Sequence, residues 1–314
     1  MSDQLLLGLD IGGTKSAAIV GDHNGNALAR EEFPTGGPVE TIARLTDLGR
    51  QLSGGETLAA CGIACGGPLS SREGLILSPP NLPGWDHVPI VRMVGGALGI
   101  PTALENDANA AAVAEWRWGL NCQVDDLVYL TCGTGQGAGI VLGGHLVRGK
   151  QDLAGEIGHV RLLPMGPVGY YKAGSVEGLT SGRALGELAK LRLREAHEPS
   201  HLERFDIDRI TGKEVGAAAI DGDAFAIRIV HEQAEYLGRA CAILIDILNP
   251  QRISLGTTAR QLGAMLVDGV RESARREAIP AAFDGCTIAE AVLGEQIQDL
   301  AALAIAHTAA EQHG

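Results

Sequence analysis

The sequence contains no stretch that approaches the roughly 20 uninterrupted apolar residues of a membrane-spanning helix. Even the apolar run from Ala242 to Leu248 is interrupted by Asp246. The first apolar run follows no basic segment and contains Asp10, so it lacks the pattern of a signal peptide. We therefore expect a cytoplasmic protein with no membrane partner.

Basic residues are in deficit. The chain has 25 Lys and Arg residues against 38 Asp and Glu residues, which gives a formal net charge of −13 at pH 7. Nucleic acids and acidic membranes both need a basic face on their partner, so we expect neither as a ligand. A small anionic ligand is compatible with this charge because it needs only local hydrogen-bond donors.

Cysteine is sparse as well. The six cysteines have neither the spacing of a disulfide framework nor that of a zinc knuckle. The nearest pair, Cys61 and Cys65, lies in an apolar, Gly-rich segment, and we interpret both as buried free thiols.

The length of 314 residues suits two domains, and predicted strands alternate with predicted helices, which indicates the α/β class. We expect a small N-terminal domain at 1–107 and a larger one at 108–295, with the last helix, about 296–314, packing on the first. Apolar periodicity predicts strands at 5–10, 16–21, 26–33, 57–63, 102–105 and 251–255, and helices at 39–52, 88–98, 108–118, 182–194, 221–248, 258–277 and 295–312.

Two segments share one pattern of strand, Gly/Thr turn and strand. The first, LGLDIGGTKSAAIV, spans residues 7–20, and the second, VYLTCGTGQGAGIV, spans residues 128–141. Gly12 then corresponds to Gly133, and Val20 to Val141. We interpret the segments as two copies of one unit, each opening a domain. The alternative is a chance likeness between two Gly-rich hairpins.

Both turns have the chemistry of a phosphate-binding site. Gly12 and Gly13 let backbone N–H groups approach an anion, and Thr14 adds a hydroxyl donor. Asp10 can hold a hydrated Mg²⁺, whereas Lys15 either adds charge or faces solvent. Taken alone, the first turn is also explained as a tight polar hairpin. A second turn facing it across a cleft would hold a polyphosphate from both sides.

Asp107 lies where a short predicted strand meets an Ala-rich predicted helix. One interpretation is an N-cap, a position that favours Asp and Asn. The other is a general base that takes a proton from an attacking hydroxyl. The helix dipole is expected to keep Asp107 ionised and so to lower its basicity.

Further acidic and amide groups suit a sugar, whose hydroxyls need acceptors and bidentate partners. Glu156 and His159 belong to GEIGH, and Glu177 lies between glycines in GSVEG. Asn81 and Asn106 would add amide groups. Each also has a structural explanation, since a histidine is often a satisfied core residue and a glutamate is often solvated.

Six motifs in order, DIGGTK, GGP, NLPGW, ENDANAAA, CGTGQGAGIV and GEIGH, resemble those of the ROK sugar kinases, the bacterial glucokinase group. They cover residues 7 to about 177, and a weaker NPQRISLG follows at 249–256. The resemblance implies a pair of actin-like, ribonuclease-H-like α/β domains with a cleft between them. It also implies ATP and Mg²⁺ as cofactors, a hexose as substrate and a homodimer.

The resemblance also implies roles for particular residues. Asp107 matches the catalytic base. The two phosphate loops and the adenosine loop match Asp10, Gly12, Gly13, Thr14, Lys15, Gly133, Thr134, Gly135 and Gly256. The sugar contacts match Gly67, Asn81, Asn106, Asp107, Glu156, His159 and Glu177.

The sequence departs from the family pattern in two places. The three zinc cysteines that most members carry after the Gly-His pair are replaced by Val168, Tyr170 and Ser175, so we expect no structural zinc. The adenosine loop, usually Leu-Gly-Gly-Gly, reads Leu-Gly-Thr-Thr from Leu255, which leaves Gly256 as its single glycine.

The resemblance favours an ATP-dependent hexose kinase that phosphorylates the 6-hydroxyl of glucose. Alternatives within the class are kinases of N-acetylmannosamine, N-acetylglucosamine, fructose or allose, and polyphosphate is an alternative donor. A weakly active, sugar-binding regulator is the alternative outside it. Family regulators carry a DNA-binding helix-turn-helix before the first strand, whereas only residues 1–4 precede that strand here.

Overall fold

The computed structural model describes residues 4–195 and 199–313. Its strands are β1 (Leu5–Ile11), β2 (Lys15–Gly21), β3 (Ala27–Pro34), β4 (Leu58–Cys65), β5 (Leu69–Ser70), β6 (Leu75–Ile76), β7 (Thr102–Asn106), β8 (Leu127–Leu130), β9 (Ala138–Leu142), β10 (His145–Leu146), β11 (Val168–Gly169), β12 (Lys172–Ala173), β13 (Arg252–Leu255) and β14 (Thr287–Glu290). Its α-helices are α1 (Pro38–Leu52), α2 (Ile90–Leu98), α3 (Asp107–Ala114), α4 (Val176–Thr180), α5 (Gly182–Glu195), α6 (Gly212–Ile220), α7 (Ala224–Leu248), α8 (Thr257–Leu262), α9 (Ala264–Glu277), α10 (Pro280–Asp284) and α11 (Ile297–His313).

Contacts group the described residues into two compact units. The first unit takes its residues from 1–123, 146–154 and 295–314, and the second takes its residues from 124–145 and 155–294. The last helix therefore belongs to the same unit as the first strand. The domain boundary predicted at residue 107 stays a prediction.

The first unit is built on a five-stranded sheet in the order β3-β2-β1-β4-β7. β1 pairs antiparallel with β2 and parallel with β4, and β4 is parallel to β7. Leu7 packs against Gly49 of α1, whereas Gly8 faces Ala302 of α11. Because neighbouring side chains of a strand point to opposite faces, helices cover both faces, which explains the continuous apolar character of β1.

Glycine lets α11 pack directly on this sheet. Gly8 and Gly62 are in register on β1 and β4. A Cβ on Gly62 would collide with the carbonyl oxygen of Ala302, and one on Gly8 would lie 3.0 Å from the Ala302 Cβ. Small residues on both sides therefore bring the helix and sheet backbones close together.

The second unit has a sheet of the same order, β10-β9-β8-β13-β14. Its first hairpin, β8–β9, is antiparallel, and β8, β13 and β14 run parallel. The predicted likeness of the two hairpins is thus present in the strands. Their registers differ by one residue, since Leu7 pairs with Val20 whereas Val128 pairs with Ile140. The second hairpin thus encloses one residue fewer between these equivalent pairs, although its unpaired turn, 131–137, is longer than the turn 12–14 of the first.

The predicted secondary structure needs three corrections. The helix predicted at 258–277 is broken at Gly263, whose φ of 55° lies in the left-handed region. The helix predicted at 108–118 ends as an α-helix at Ala114 and continues as a π-helical turn, Glu115–Gly119. Strand β14 and helix α6 were absent from the prediction.

The cysteines are free in the structure. Cys61 and Cys65 are buried, and burial raises the pKa of both thiols well above its usual range. Within the described ranges, the helices that are long enough to cross a bilayer are not apolar enough, and the apolar ones are too short.

Candidate active site

The carboxyl ends of β1, β4 and β7 meet at one edge of the first sheet because these strands run parallel. Asp10 lies near the end of β1. A Cβ on Gly66, just after β4, would lie 3.9 Å from Oδ2 of Asp107, and one on Gly67 would lie 3.8 Å from Nδ2 of Asn106. The fold therefore gathers the predicted residues of the first unit at this edge.

The turn between β1 and β2 is tight and held from both sides. Gly12 donates its N–H to the carbonyl of Lys15 at 3.0 Å, and the Thr35 hydroxyl donates to the Gly12 carbonyl at 2.7 Å. A Cβ on Gly13 would collide with the carbonyl oxygen of Asn81. The loop that carries the NLPGW motif, residues 81–85, thus requires glycine at position 13, and Asn81 lies beside the predicted phosphate turn.

Thr14 and Lys15 are exposed at the tip of this turn. The Lys15 ammonium forms an ion pair of 2.5 Å with Glu32, which also accepts from Arg30 at 2.8 Å. This pairing offsets part of the Lys15 charge. A role for Lys15 in phosphate binding stays a prediction.

Asn106, rather than Asp107, is the N-cap of α3. Its side-chain oxygen accepts from the N–H groups of Ala108 at 3.0 Å and Asn109 at 3.4 Å. The N-cap interpretation of Asp107 is therefore wrong. Asp107 is the first helical residue, is accessible to solvent, and accepts from the Ala108 N–H at 2.8 Å.

A buried carboxylate holds the start of α3 in place. Glu105 is fully buried and accepts from the N–H of Asn106 at 3.0 Å and from the side-chain amide of Asn109 at 2.9 Å. Its second oxygen pairs with Nε of Arg148 at 2.6 Å. Sequence reasoning did not identify Glu105 or Arg148. The Glu that precedes Asn106 in the motif was the available signal.

The carboxylates of this edge have raised pKa values. The pKa of Asp10 is raised to about 7, first by burial and then by the negative charges of Asp107 and Asp299, against the opposing charge of Arg30. Burial also raises the pKa of Asp107, although the Ala108 N–H lowers it. Burial thus outweighs the lowering of the Asp107 pKa that we expected from the helix dipole. Solvent still reaches the residue, but many protein atoms surround its carboxylate.

The donor set at Asp10 fits a hydrated divalent cation. Mg²⁺ usually keeps several waters and is bound by one or two carboxylates together with phosphate oxygens. A cation at Asp10 would relieve its repulsion with Asp107 and favour ionised Asp10. No group of three or more potential ligands occurs in residues 4–195 and 199–313. That Asp10 would hold the cation stays a prediction.

The turn between β8 and β9 has its own hydrogen-bond frame. Thr131 donates its N–H to the Gly137 carbonyl and accepts the Gly137 N–H on its hydroxyl, both at 3.1 Å. Gly133 donates its N–H to the carbonyl of Gly135 at 3.2 Å. Cys132 has a φ of 43°, an unusual value for a residue other than glycine. Thr134, which is exposed, lies at the tip.

The end of β13 packs against this turn. A Cβ on Gly256 would collide with the carbonyl oxygen of Thr131, and the Thr258 hydroxyl donates to the Cys132 carbonyl at 2.5 Å. Gly256, the single glycine of the predicted adenosine loop, is therefore required because the end of β13 lies so close to Thr131.

A cavity of about 750 Å³ lies beside the second turn, within the second unit. This volume is typical of a small-molecule pocket. Sequence reasoning did not predict its wall from α6, although Thr211 and Glu214 form a capping box whose T-x-x-E spacing was a usable signal. The cavity is lined by Cys132, Gly133, Thr134, Gly182, Arg183, Leu185, Glu187, Lys190, Ile210, Thr211, Gly212, Lys213, Gly216, Ala217, Ile220, Thr257, Thr258, Gln261 and Leu262.

The predicted sugar residues of the second unit lie near the same turn. Glu177, in the first turn of α4, accepts the N–H of Gln136 at 3.2 Å, and a Cβ on Gly158 would lie 3.4 Å from its Cβ. His159 ends the 3₁₀ turn that includes Gly158, and it is half-buried. Glu156 precedes this turn and is exposed. Contact of these side chains with a sugar stays a prediction.

The residues at the zinc-cysteine positions do not fit a zinc ion. Val168 is exposed and has no ligand atom, and the Tyr170 ring contacts His159 edge-on with centroids 4.9 Å apart. Ser175 is buried as the N-cap of α4, accepting from the Gly178 N–H at 3.2 Å. The absence of structural zinc stays a prediction.

Comparison with known proteins gives concordant results. The model of the ROK family matches residues 6–309. A glucokinase of Streptomyces coelicolor is 33% identical over 280 residues, covering 87% of each chain. An N-acetylmannosamine kinase of Escherichia coli O157:H7 is 35% identical over 252 residues, covering 80% of this chain and 81% of its own. The structure of a ROK family glucokinase from Streptomyces griseus in complex with glucose and AMPPNP superposes with a TM-score of 0.80 at 33% identity, covering 97% of this chain and 99% of that one.

Two α/β units with the same sheet order, each opening with a Gly/Thr hairpin, define the actin-like class of fold, as predicted. Within that class, the chain belongs to the ROK family. Its full-length similarity to glucokinases makes it an enzyme of the sugar-kinase type, a phosphotransferase with an alcohol acceptor.

Proposed function

We propose that this kinase transfers the γ-phosphate of ATP to the 6-hydroxyl of a hexose, with glucose as the preferred acceptor. The observation that carries the proposal is the state of Asp107. It is accessible, its pKa is raised by burial, and the N-cap role that would have occupied it falls to Asn106. A carboxylate with a raised pKa is a stronger base than an ordinary aspartate.

In the proposed reaction the hexose 6-oxygen attacks the γ-phosphorus, and the bond from that phosphorus to the β,γ-bridging oxygen breaks. The bonding electrons leave with ADP, and the hydroxyl proton moves to the carboxylate of Asp107. Gly12, Gly13 and Thr14 of the first turn, and Gly133, Thr134 and Gly135 of the second, would donate to phosphate oxygens. Asp10 would hold Mg²⁺, which offsets phosphate charge.

The cavity beside the second turn is proposed to hold the adenosine moiety. It adjoins Thr134 of the predicted phosphate turn and Thr258 of the predicted adenosine loop. Its wall combines apolar side chains such as Leu185 and Leu262 with threonine hydroxyls, which suits a planar base attached to a polar ribose. The complex of the Streptomyces griseus relative with AMPPNP supports a nucleotide donor.

The proposed acceptor contacts are Gly67, Asn81, Asn106, Asp107, Glu156, His159 and Glu177. The glucose complex of the Streptomyces griseus relative supports a hexose, and the glucokinase of Streptomyces coelicolor supports glucose. A homodimer is also proposed, by resemblance, and light scattering after size exclusion tests it: a mass near twice the 32.6 kDa of one chain is expected.

The deciding experiment is a coupled ADP-release assay over glucose, fructose, allose and N-acetylhexosamines, with Asp107→Asn as the variant. We expect turnover on glucose, and a loss of at least ~10²-fold in kcat in Asp107→Asn, the size typical of a general base. Glu40→Gln, on the exposed first turn of α1, is the matched control and should keep wild-type turnover. Unchanged turnover in Asp107→Asn would refute the assignment of the base.

A second candidate acceptor is N-acetylmannosamine, which the similarity to the Escherichia coli kinase supports. N-acetylmannosamine differs from glucose at carbon 2, where an N-acetylamino group replaces the hydroxyl and the configuration is inverted. The ratio of kcat/KM for glucose to that for N-acetylmannosamine decides between them, and a ratio below one assigns the latter.

A further inference from the structure

The hairpin β11–β12 turns through two tyrosines in an unusual conformation. Val168 pairs with Ala173, and Gly169 pairs with Lys172. The two turn residues, Tyr170 and Tyr171, have φ values of 38° and 66°. Bulky residues rarely adopt the left-handed region, so this turn is strained and is kept only where its surroundings favour it.

Two residues of this hairpin, Tyr170 and Lys172, contact His159. The ring of Tyr170 meets the imidazole edge-on, with centroids 4.9 Å apart and an interplanar angle of 71°. Lys172, on the other side of the turn, donates its ammonium to the backbone carbonyl of His159 at 2.7 Å. The ring and the main chain of His159 are therefore both held by the hairpin.

The other side of the hairpin packs on the start of α4. A Cβ on Gly169 would collide with the N–H of Gly178 and would lie 2.8 Å from the Cβ of Glu177. A Cβ on Gly178 would collide with the carbonyl oxygen of Pro167. The hairpin backbone thus lies directly against the turn of helix that carries Glu177.

The segment around the hairpin is closed by backbone hydrogen bonds. Gly174 accepts the N–H groups of Leu162 at 2.9 Å and Leu163 at 3.1 Å, and Val176 donates to Val160 at 2.8 Å. These bonds join the chain after His159 to the chain before Glu177. A metal ion with ligands in both segments would join them in the same way.

We propose that residues 168–173, here called the tyrosine brace, replace a structural metal in positioning His159 and Glu177. Tyr170 is a positioning residue that acts through the imidazole, and Lys172 is one that acts through the His159 carbonyl. The consequence for sugar binding rests on the proposed function, in which His159 and Glu177 contact the acceptor. The positioning of the His159 ring and the independence from a metal do not rest on the proposed function.

The test compares Tyr170→Ala, Tyr170→Phe and Lys172→Met with the control Phe205→Ala, which removes a partly exposed aromatic ring that lies against Arg204, outside the brace. Glucose affinity is measured by calorimetry without nucleotide. We expect Kd to rise on the order of tenfold in Tyr170→Ala and Lys172→Met, as for residues that orient a ligand-binding side chain. Tyr170→Phe, which keeps the ring, should bind like the wild type. In steady-state assays, Tyr170→Ala and Lys172→Met should raise KM for the sugar and leave kcat unchanged.

A second readout does not depend on sugar binding. In protein labelled with ¹³C-histidine, the His159 resonance is assigned by its loss in His159→Gln. It should shift in Tyr170→Ala and stay in place in Phe205→Ala. The wild-type Tm should be the same with and without a zinc chelator. An unshifted His159 resonance, or a Tm lowered by the chelator, overturns the tyrosine brace. Shifted resonances with no hexose bound by the wild type would instead refute the proposed function.

Discussion

Arg148→Met tests how the start of α3 is held. Glu105 is fully buried, and Arg148 is the cation that pairs with it, at 2.6 Å. Removing one partner of a buried pair costs about 3–5 kcal/mol because it leaves an uncompensated charge. The Arg148 side chain is 37% exposed, so solvent screens part of the interaction, and the hydrogen bonds from Asn106 and Asn109 remain. We therefore expect a loss of about 2–3 kcal/mol.

Differential scanning calorimetry measures the effect. For a chain of this size, that loss corresponds to a Tm lower by roughly 4–12 °C in the transition that includes the first unit. Arg194→Met is the matched control, because Arg194 and Asp208 form an ion pair between side chains that are 55% and 75% exposed. Exposed pairs contribute about 0–1 kcal/mol, so its Tm should fall by only a few degrees at most.

The double variant Glu105→Gln, Arg148→Met separates charge from packing. Glutamine keeps the shape of Glu105 and an acceptor for the Asn106 N–H, but it removes the buried charge. The double variant should therefore be more stable than Arg148→Met alone, by about 1–2 kcal/mol. If Arg148→Met unfolds at the wild-type temperature, or if the double variant is no more stable than the single one, the assigned role of the pair is refuted.

Two further predictions concern the first turn. The pKa of Asp10 is about 7 in the folded protein, above its ordinary value of 3.8, so the folded state binds more protons between these values and loses stability as pH rises from 4 to 7. Asp10→Asn should remove this dependence of stability on pH, stabilise the metal-free protein at pH 8 by about 2–4 kcal/mol, and abolish turnover. Denaturation midpoints at pH 4.5 and pH 8 measure the dependence. The same change between these pH values in wild type and variant would contradict the prediction. Gly13→Ala should lower kcat/KM for ATP by at least ~10-fold, because its Cβ would collide with the Asn81 carbonyl. Gly96→Ala, in open space on α2, should leave kcat/KM unchanged and raise stability by about 0.5–1 kcal/mol.

Local patterns carried most of the fold. The apolar run ending at Asp10 and the Gly/Thr turn after it predict a hairpin, and so does the second copy, because strand, turn and strand are all encoded in neighbouring residues. The interruption at Gly263 was harder to foresee, since a single glycine within an apolar periodic segment is often tolerated in a helix. Strand β14 was missed because four residues that end in Glu290 carry little periodicity.

The chemistry of the site depends on contacts that the sequence pattern does not encode. Glu105 and Arg148 are 43 residues apart along the chain. The raised pKa of Asp107 comes from atoms that surround it only after folding. The requirement for glycine at position 13 likewise comes from the Asn81 carbonyl, which belongs to a distant loop. The sequence motifs therefore predict which residues form the site, whereas the pKa values of these residues and the contacts that hold them depend on the tertiary structure.

The glycine contact between Gly62 and α11 has a consequence for the order of biosynthesis. One face of the first unit's sheet is covered by residues 297–313, which are synthesised long after the strands of that sheet. Residues 124–294, which contain the whole second unit, are all available before then. One face of this sheet therefore stays uncovered until the second unit has been synthesised, and the apolar strands β1 and β4 are open to aggregation during that interval.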